Sequence, residues 1–178
     1  MNLSELGIKA RAASVLLAKM NVETKNKALI ACADALAKES NSILEANAKD
    51  VLIGREKGMN EGLVDRLMLT EERIKGIAEG LEQVAALDDP VGEVLDMKKR
   101  PNGLLIGKKR VPLGVVGMIY EARPNVTPDA FALCFKSGNA VILRGGSDAI
   151  NSNIAIVKVL QDTLKACGIT EDAVQLIE

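Results

Sequence analysis

Apolar residues recur every three or four positions through the first 89 residues, as in Leu29, Cys32, Ala33 and Leu36. That period places them on one face of a helix. The same stretch is rich in Ala, Leu, Glu and Lys, and no proline occurs before Pro90. Both features favour helix over strand. The spacing predicts helices near 3–19, 22–38, 42–57, 61–67 and 71–87. Asn2 with Glu5, and Ser42 with Glu45, have the spacing of capping boxes. Thr70 before Glu71 and Glu72 reads as another helix start.

The pattern changes at residue 91. Val94-Leu95 and Leu104-Leu105-Ile106 flank Pro101-Asn102-Gly103, and Asn-Gly between apolar runs predicts a β-hairpin with both turn residues at positive φ. Lys98-Lys99-Arg100 and Lys108-Lys109-Arg110 fall on its two arms. Such triads also occur in nucleic-acid-binding and nuclear-targeting segments. The favoured reading is a solvated hairpin whose lysines discourage edge-to-edge pairing.

From residue 115 onward the chain alternates between strand and helix patterns. Val115–Tyr120 is a continuous apolar run, the pattern of a buried parallel strand. Thr127, Pro128 and Asp129 read as cap, first position and first turn of a helix that stops at Gly138. Ala140–Leu143 is the next strand. Gly145-Gly146 is a tight loop, and Ser147 is the expected cap of a helix running to Cys167. Val174–Ile177 begins a third strand. This alternation predicts an α/β fold: N-terminal helices, a β-hairpin arm and a partial Rossmann-like parallel sheet. The expected division is 1–90 helical, 91–114 hairpin and 115–178 cofactor-binding unit.

Composition narrows the chemistry. The 178 residues include 48% hydrophobic and 26% charged residues, the balance of a globular chain. The absence of histidine excludes Ser-His and Cys-His nucleophile pairs, and aromatic residues amount to 2%, too few for base-stacking platforms. A net charge of −1 gives no general attraction to nucleic acid or to anionic membrane. No apolar run approaches a membrane span, and the first residues, interrupted by Glu5, do not read as a signal peptide. Cys32, Cys134 and Cys167 are widely spaced without a CxxC, which suits a reducing, cytoplasmic setting. Each aligns with an apolar helical stripe and is read as a core residue, so no nucleophile is visible.

Ligands of open parallel sheets bind beyond the carboxyl ends of the strands. Two loops lie there: Glu121–Thr127 and Arg144–Ser147. Arg144, followed by Gly145, Gly146 and a helix start, fits a ribose or phosphate contact; an ordinary turn with a solvated arginine fits equally. Asn125, between two prolines, is a candidate oxyanion donor or simply a turn residue. Arg123 is a candidate anion binder or a surface charge. No GxGxxG is present.

The run VPLGVVGMIYEARPNVTPDAFALCFKSGNAVILRGGS, at 111–147, resembles the gamma-glutamyl phosphate reductase family of the aldehyde dehydrogenase superfamily. EANAKDV at 45–51, LVDRLMLTEERIKGIAEGLEQV at 63–84 and DPVGEV at 89–94 resemble it too. The resemblance implies NADPH-dependent reduction of L-glutamate 5-phosphate to L-glutamate 5-semialdehyde in proline biosynthesis. In that family a cysteine thiolate displaces phosphate to form a thioester, and hydride transfer and collapse then release the aldehyde. The resemblance makes Asn125 the oxyanion-stabilising residue. It makes Arg144 the contact to the adenosine ribose or a 2′-phosphate, hence NADP. Gly145, Gly146 and Ser147 would line the same pocket, Ile119 and Tyr120 would flank the cofactor, and Arg123 would hold a substrate anion. The hairpin would be the arm through which the enzyme forms a homo-oligomer. Family chains are more than twice this length, and their catalytic cysteine belongs to a domain that these residues do not include. The expectation is an N-terminal part without reductase activity of its own. The alternatives are a non-catalytic nucleotide-binding or oligomerisation module, or the reductase part of a kinase–reductase fusion.

Overall fold

The structure, a computed structural model, describes residues 2–178. Seven α-helices and five strands follow in order: α1 (Leu3–Leu17), α2 (Val22–Lys38), α3 (Ser40–Glu56), α4 (Glu61–Leu67), α5 (Glu71–Ala86), β1 (Val94–Lys99), β2 (Leu105–Lys109), β3 (Val115–Ile119), α6 (Val126–Lys136), β4 (Ala140–Arg144), α7 (Ile150–Ala166) and β5 (Val174–Leu176). The predicted helices are all present.

The starts of the helices show which capping signals operate. Asn2 and Glu5 form the expected capping box, and the Thr70 side chain accepts from the Arg73 backbone N–H. Ser42 and Glu45 do not cap α3, which begins two residues earlier; the Ser42 hydroxyl instead donates to the Glu39 carbonyl at 2.8 Å. Thr127 lies inside α6 and Ser147 in a short 3-10 turn before α7, and neither helix has a local side-chain cap.

Strands β3, β4 and β5 form a parallel sheet in the order β3-β4-β5. Both crossovers run in the same direction, so right-handedness puts α6 and α7 on one face. Helix α1 packs against all three strands from the other side. A further layer of α2, α3 and α5 lies over α6 and α7. One apolar core runs through both layers, from Leu17 and Leu29 to Phe131, Leu143 and Leu160. The helical segment and the sheet therefore share a core.

The central strand is β4, where Ala140, Val141 and Leu143 are inaccessible. Strand β3, expected to be buried, is an edge strand and leaves Ile119 86% exposed. Cys32 and Cys134 are core residues as expected. Cys167 is exposed, because α7 ends one residue earlier and Cys167 is its C-cap.

β1 and β2 form the predicted antiparallel hairpin. Its turn differs from the expected one. Gly103 alone of the pair has positive φ, and the Gly103 N–H donates to the Arg100 carbonyl at 2.9 Å. Pro101 at the second turn position favours this geometry, with glycine absorbing the left-handed step. Both lysine-bearing arms are exposed, and so are Leu95, Met97, Leu105 and Ile106.

The approach to the hairpin is anchored by charge. Lys25 is fully buried, pairs with Asp89 and donates to the Lys136 carbonyl at 3.1 Å. Lys136 in turn donates to Asn26 Oδ1 at 2.6 Å and the Ala85 carbonyl at 2.8 Å. Desolvation lowers the Lys136 pKa, partly offset by the nearby Asp89. These bonds tie α2, α5, α6 and the segment before β1 together.

Candidate functional site

The two loops expected to carry chemistry are adjacent because their strands pair in parallel, with Ile119 opposite Arg144. The Tyr120 N–H continues the ladder, donating to the Arg144 carbonyl at 3.1 Å.

The second loop is shaped by contacts from within the chain. A Cβ on Gly145 would lie 2.3 Å from Asn153 Nδ2 and 3.2 Å from the Tyr120 ring. One on Gly146 would lie 2.8 Å from the Ala122 backbone nitrogen. Glycine is required at both positions by internal packing. Thr127 Oγ1 donates to Asn153 Oδ1 at 2.7 Å. That uses the single hydroxyl proton of Thr127, so the Tyr120 hydroxyl, 2.6 Å away, is the donor to Thr127. Burial raises the Tyr120 pKa, partly offset by this bond. Tyr120 is thus a brace between β3, α6 and α7.

The N-terminus of α7 is capped by a residue remote in sequence. Asp50, on α3, accepts through Oδ1 from the Asn151 backbone N–H at 3.2 Å and from Asn151 Nδ2 at 2.7 Å. Its Oδ2 accepts from the Ser152 backbone N–H at 2.7 Å and the Ser152 hydroxyl at 2.5 Å. A carboxylate at a helix start is favoured by the free N–H groups and by the helix dipole. One turn earlier, Asn47 Nδ2 donates to the Leu67 carbonyl at 2.8 Å and to Ser152 Oγ at 3.0 Å. Asn47 Oδ1 accepts from the Leu69 N–H at 2.7 Å. Sequence reasoning missed both roles. The available signal was two polar residues on the buried stripe Ile43, Asn47, Asp50 and Gly54.

This cap limits what a cofactor phosphate can use. The Asn151 and Ser152 donors are already occupied, and Asp148 stands beside them, paired with Lys57 at 3.2 Å. The α7 N-terminus therefore does not fit a pyrophosphate. Arg144 does fit an anion: it is exposed, and its one side-chain hydrogen bond among the described residues is from Nη1 to the Glu178 carbonyl at 3.2 Å. Ile119 offers an open apolar surface on the neighbouring strand. Ser147 is exposed beside a cleft of about 290 Å³.

Asn125 lies on a separate cleft of about 390 Å³, between the start of α6 and the segment from α4 to α5. It is the exposed residue preceding α6 and does not cap that helix. Arg66 and Arg123 line both clefts and form the divide between them. Arg123 Nε is 3.3 Å from Glu121 Oε2, although the Nε–H has no aligned acceptor. Arg73 is held by Asp65 Oδ1 at 2.9 Å and the Met68 carbonyl at 2.7 Å. Asp129, one turn beyond Asn125, also faces this cleft, and the enclosing walls raise its pKa by desolvation. The structure therefore brings Asn125 and Arg123 to one cleft and Gly146 and Ser147 to the other, with Arg66 and Arg123 between them, while Arg144 and Gly145 line neither.

Among the described residues no cluster of His, Cys, Asp or Glu is arranged to hold a metal, and no helix is long and apolar enough to cross a membrane. The two buried thiols suit no nucleophilic role: burial pushes Cys32 up to about 12 and raises Cys134.

No family model matches the chain. It is 57% identical over 177 residues to a gamma-glutamyl phosphate reductase of Lachnospira eligens, a match covering 99% of this chain and 43% of that protein. The corresponding enzyme of Caldanaerobacter subterraneus is 59% identical over 170 residues, 96% of this chain and 41% of the relative. The crystal structure of the Thermotoga maritima gamma-glutamyl phosphate reductase superposes with a TM-score of 0.96 at 47% identity, over 100% of this chain and 43% of that one. A glyceraldehyde-3-phosphate dehydrogenase of Methanocaldococcus jannaschii, crystallised with NADP, shares the fold at a TM-score of 0.72 and 17% identity, covering 98% and 35% of the two chains. By sequence and by fold, this chain is a relative of the gamma-glutamyl phosphate reductases, built on the aldehyde dehydrogenase fold and spanning about two fifths of their length.

Proposed function

We propose that these 178 residues form the cofactor-side part of an NADPH-dependent reductase that converts L-glutamate 5-phosphate to L-glutamate 5-semialdehyde. The observation that carries the reading is identity of 57% to a gamma-glutamyl phosphate reductase across 99% of the chain. The setting is cytoplasmic proline biosynthesis.

Within that reading each group has a task that its position allows. Asn125 donates through Nδ2 to the acyl oxygen as negative charge develops there. Arg123 adds a cation beside it, its charge moderated by Glu121. NADPH supplies hydride when bound. Arg144 is the residue placed to grip a 2′-phosphate, since guanidinium pairs with phosphate in two-point fashion. Ile119 offers its exposed side chain to the cofactor, and Tyr120 with Gly145, Gly146 and Ser147 shapes the adjoining wall. The thiolate that carries the acyl group comes from outside these residues, so the 178-residue chain alone has no reductase activity. The exposed apolar residues of the β1–β2 hairpin support its use as an oligomerisation arm.

The test is the full-length reading frame that carries residues 1–178, assayed for NADP- and phosphate-dependent oxidation of glutamate semialdehyde. Asn125→Ala should lower kcat by about 10²–10³, the usual effect of removing one oxyanion donor. Absence of turnover, or an unchanged rate in Asn125→Ala, would refute the proposal.

A further inference from the structure

The cleft beside Asn125 carries two exposed charged side chains that make no ion pair among the described residues. Arg66, on α4, has no carboxylate within ion-pair distance among the described residues, whereas Arg73 is held by Asp65 and Arg123 lies against Glu121. Asp129 likewise has neither an ion pair nor a side-chain hydrogen bond among the described residues, yet the cleft partly desolvates its carboxyl. Both side chains are exposed on the cleft wall, where a ligand carrying the opposite charges can reach them.

The floor of the cleft is also unusual for a helix. Gly76 and Gly80 lie in the interior of α5, where glycine costs about 1 kcal/mol each relative to alanine. A Cβ on Gly76 would meet nothing within 4 Å, and one on Gly80 would approach only Asp129 Oδ1, at 3.8 Å. Neither glycine is demanded by backbone conformation or by close packing. Gly76 and Ile77 line the cleft and leave open room beside Asn125 and the two unpaired charges, while Gly80 leaves space next to Asp129.

We propose that this cleft recognises the zwitterionic end of an α-amino acid, Asp129 receiving the α-ammonium and Arg66 the α-carboxylate, while Asn125 engages the acyl group at the far end. The inference rests on the reductase reading above and extends it to the residues that determine substrate specificity. The spacing agrees. Asp129 follows Asn125, the residue before α6, by four positions, about 6 Å along the helix axis. Four bonds separate the acyl carbon of a γ-glutamyl group from its α-nitrogen, a comparable span. A bound ligand lacking the amino group would cover Asp129 and leave it unpaired, which is how a polar site rejects an analogue.

The experiment compares glutamate semialdehyde with its desamino analogue, 5-oxopentanoate, in the full-length enzyme with NADP and phosphate. Asp129→Asn should lower kcat/KM for the amino substrate 10- to 100-fold and change it less than threefold for the analogue. The preference between the two then falls at least tenfold. Cyclisation of the amino aldehyde affects parent and variant alike and cancels from that comparison. Arg66→Ala should lower kcat/KM for both substrates, with partial rescue by Arg66→Lys. Gly76→Leu, which fills the floor without touching either charge, should raise KM for both substrates and leave KM for NADP unchanged. Parent turnover with an undiminished preference in Asp129→Asn would overturn this inference alone. Equal losses on both substrates in Asp129→Asn would do the same. No turnover of glutamate semialdehyde by the parent would instead overturn the underlying reductase reading.

Discussion

Replacing Asp50 with alanine tests whether a carboxylate on α3 organises the loop that carries Gly145, Gly146 and Ser147. The Asp50 side chain accepts four hydrogen bonds, two from Asn151 and two from Ser152. Ser152 is fully buried, so its backbone N–H and hydroxyl cannot turn to water once the carboxylate is gone. An unsatisfied buried donor costs about 1–3 kcal/mol, and the bond that the Ser152 hydroxyl accepts from Asn47 Nδ2 at 3.0 Å does not replace the acceptor it loses. Asn151 is half-buried and rehydrates at little cost. Loss of a helix N-cap alone is worth about 1 kcal/mol. These contributions overlap, and their combined effect is about 3 kcal/mol. At about 2–4 °C per kcal/mol for a chain of this size, the midpoint should fall by roughly 6–12 °C. Asp50→Asn keeps one acceptor for Ser152 but turns an amide donor toward Asn151, and should fall between the two. Thermal and urea unfolding of parent and variants measure this, and hydrogen exchange at Asn151 and Ser152 should accelerate. A shift in Asp50→Ala below 0.5 kcal/mol, within the range of ordinary surface substitutions, would refute the capping argument.

Two further outcomes follow from the buried charges and thiols. Asp89→Ala leaves the Lys25 ammonium buried without its counter-ion and should destabilise by about 3–5 kcal/mol. Lys25→Met should cost less, because Asp89 retains access to water with 16% of its side chain exposed. Urea unfolding of both variants checks the asymmetry, and equal losses would contradict it. The Cys32 thiol, pushed up to about 12 by burial from an ordinary value of 9.0, binds its proton more tightly folded than unfolded. Its contribution to stability is complete below pH 9 and declines as the pH rises toward 12, by at most about 1.4 kcal/mol per pH unit. Comparing parent with Cys32→Ala over that range isolates the slope; parallel curves would refute it. A thiol reagent should label exposed Cys167 first.

Local physics was enough for the helices. Their apolar period, the Asn2–Glu5 box and the Thr70 cap specify α1 to α5 with boundaries close to those observed. The resemblance of residues 111–147 then led to Asn125 and Arg144, which spacing alone left ambiguous. Tertiary structure decided the remainder. Whether an apolar run becomes a central or an edge strand depends on what lies beside it, so Val115–Ile119 and Ala140–Arg144 look alike in sequence and differ in burial. Ser147 looked like a cap, yet Asp50, 101 and 102 residues away from the groups it binds, does the capping. Gly145 and Gly146 looked like openings for a ligand, and only the packed loops show Tyr120, Asn153 and Ala122 filling that space. Arg66 and Asp129 had no signal of their own, because a charge becomes informative only when its neighbours are known. Periodicity and capping act over one helical turn and can be read along the chain. Satisfaction of buried donors, charges and close contacts is settled between segments that meet only when the chain is folded.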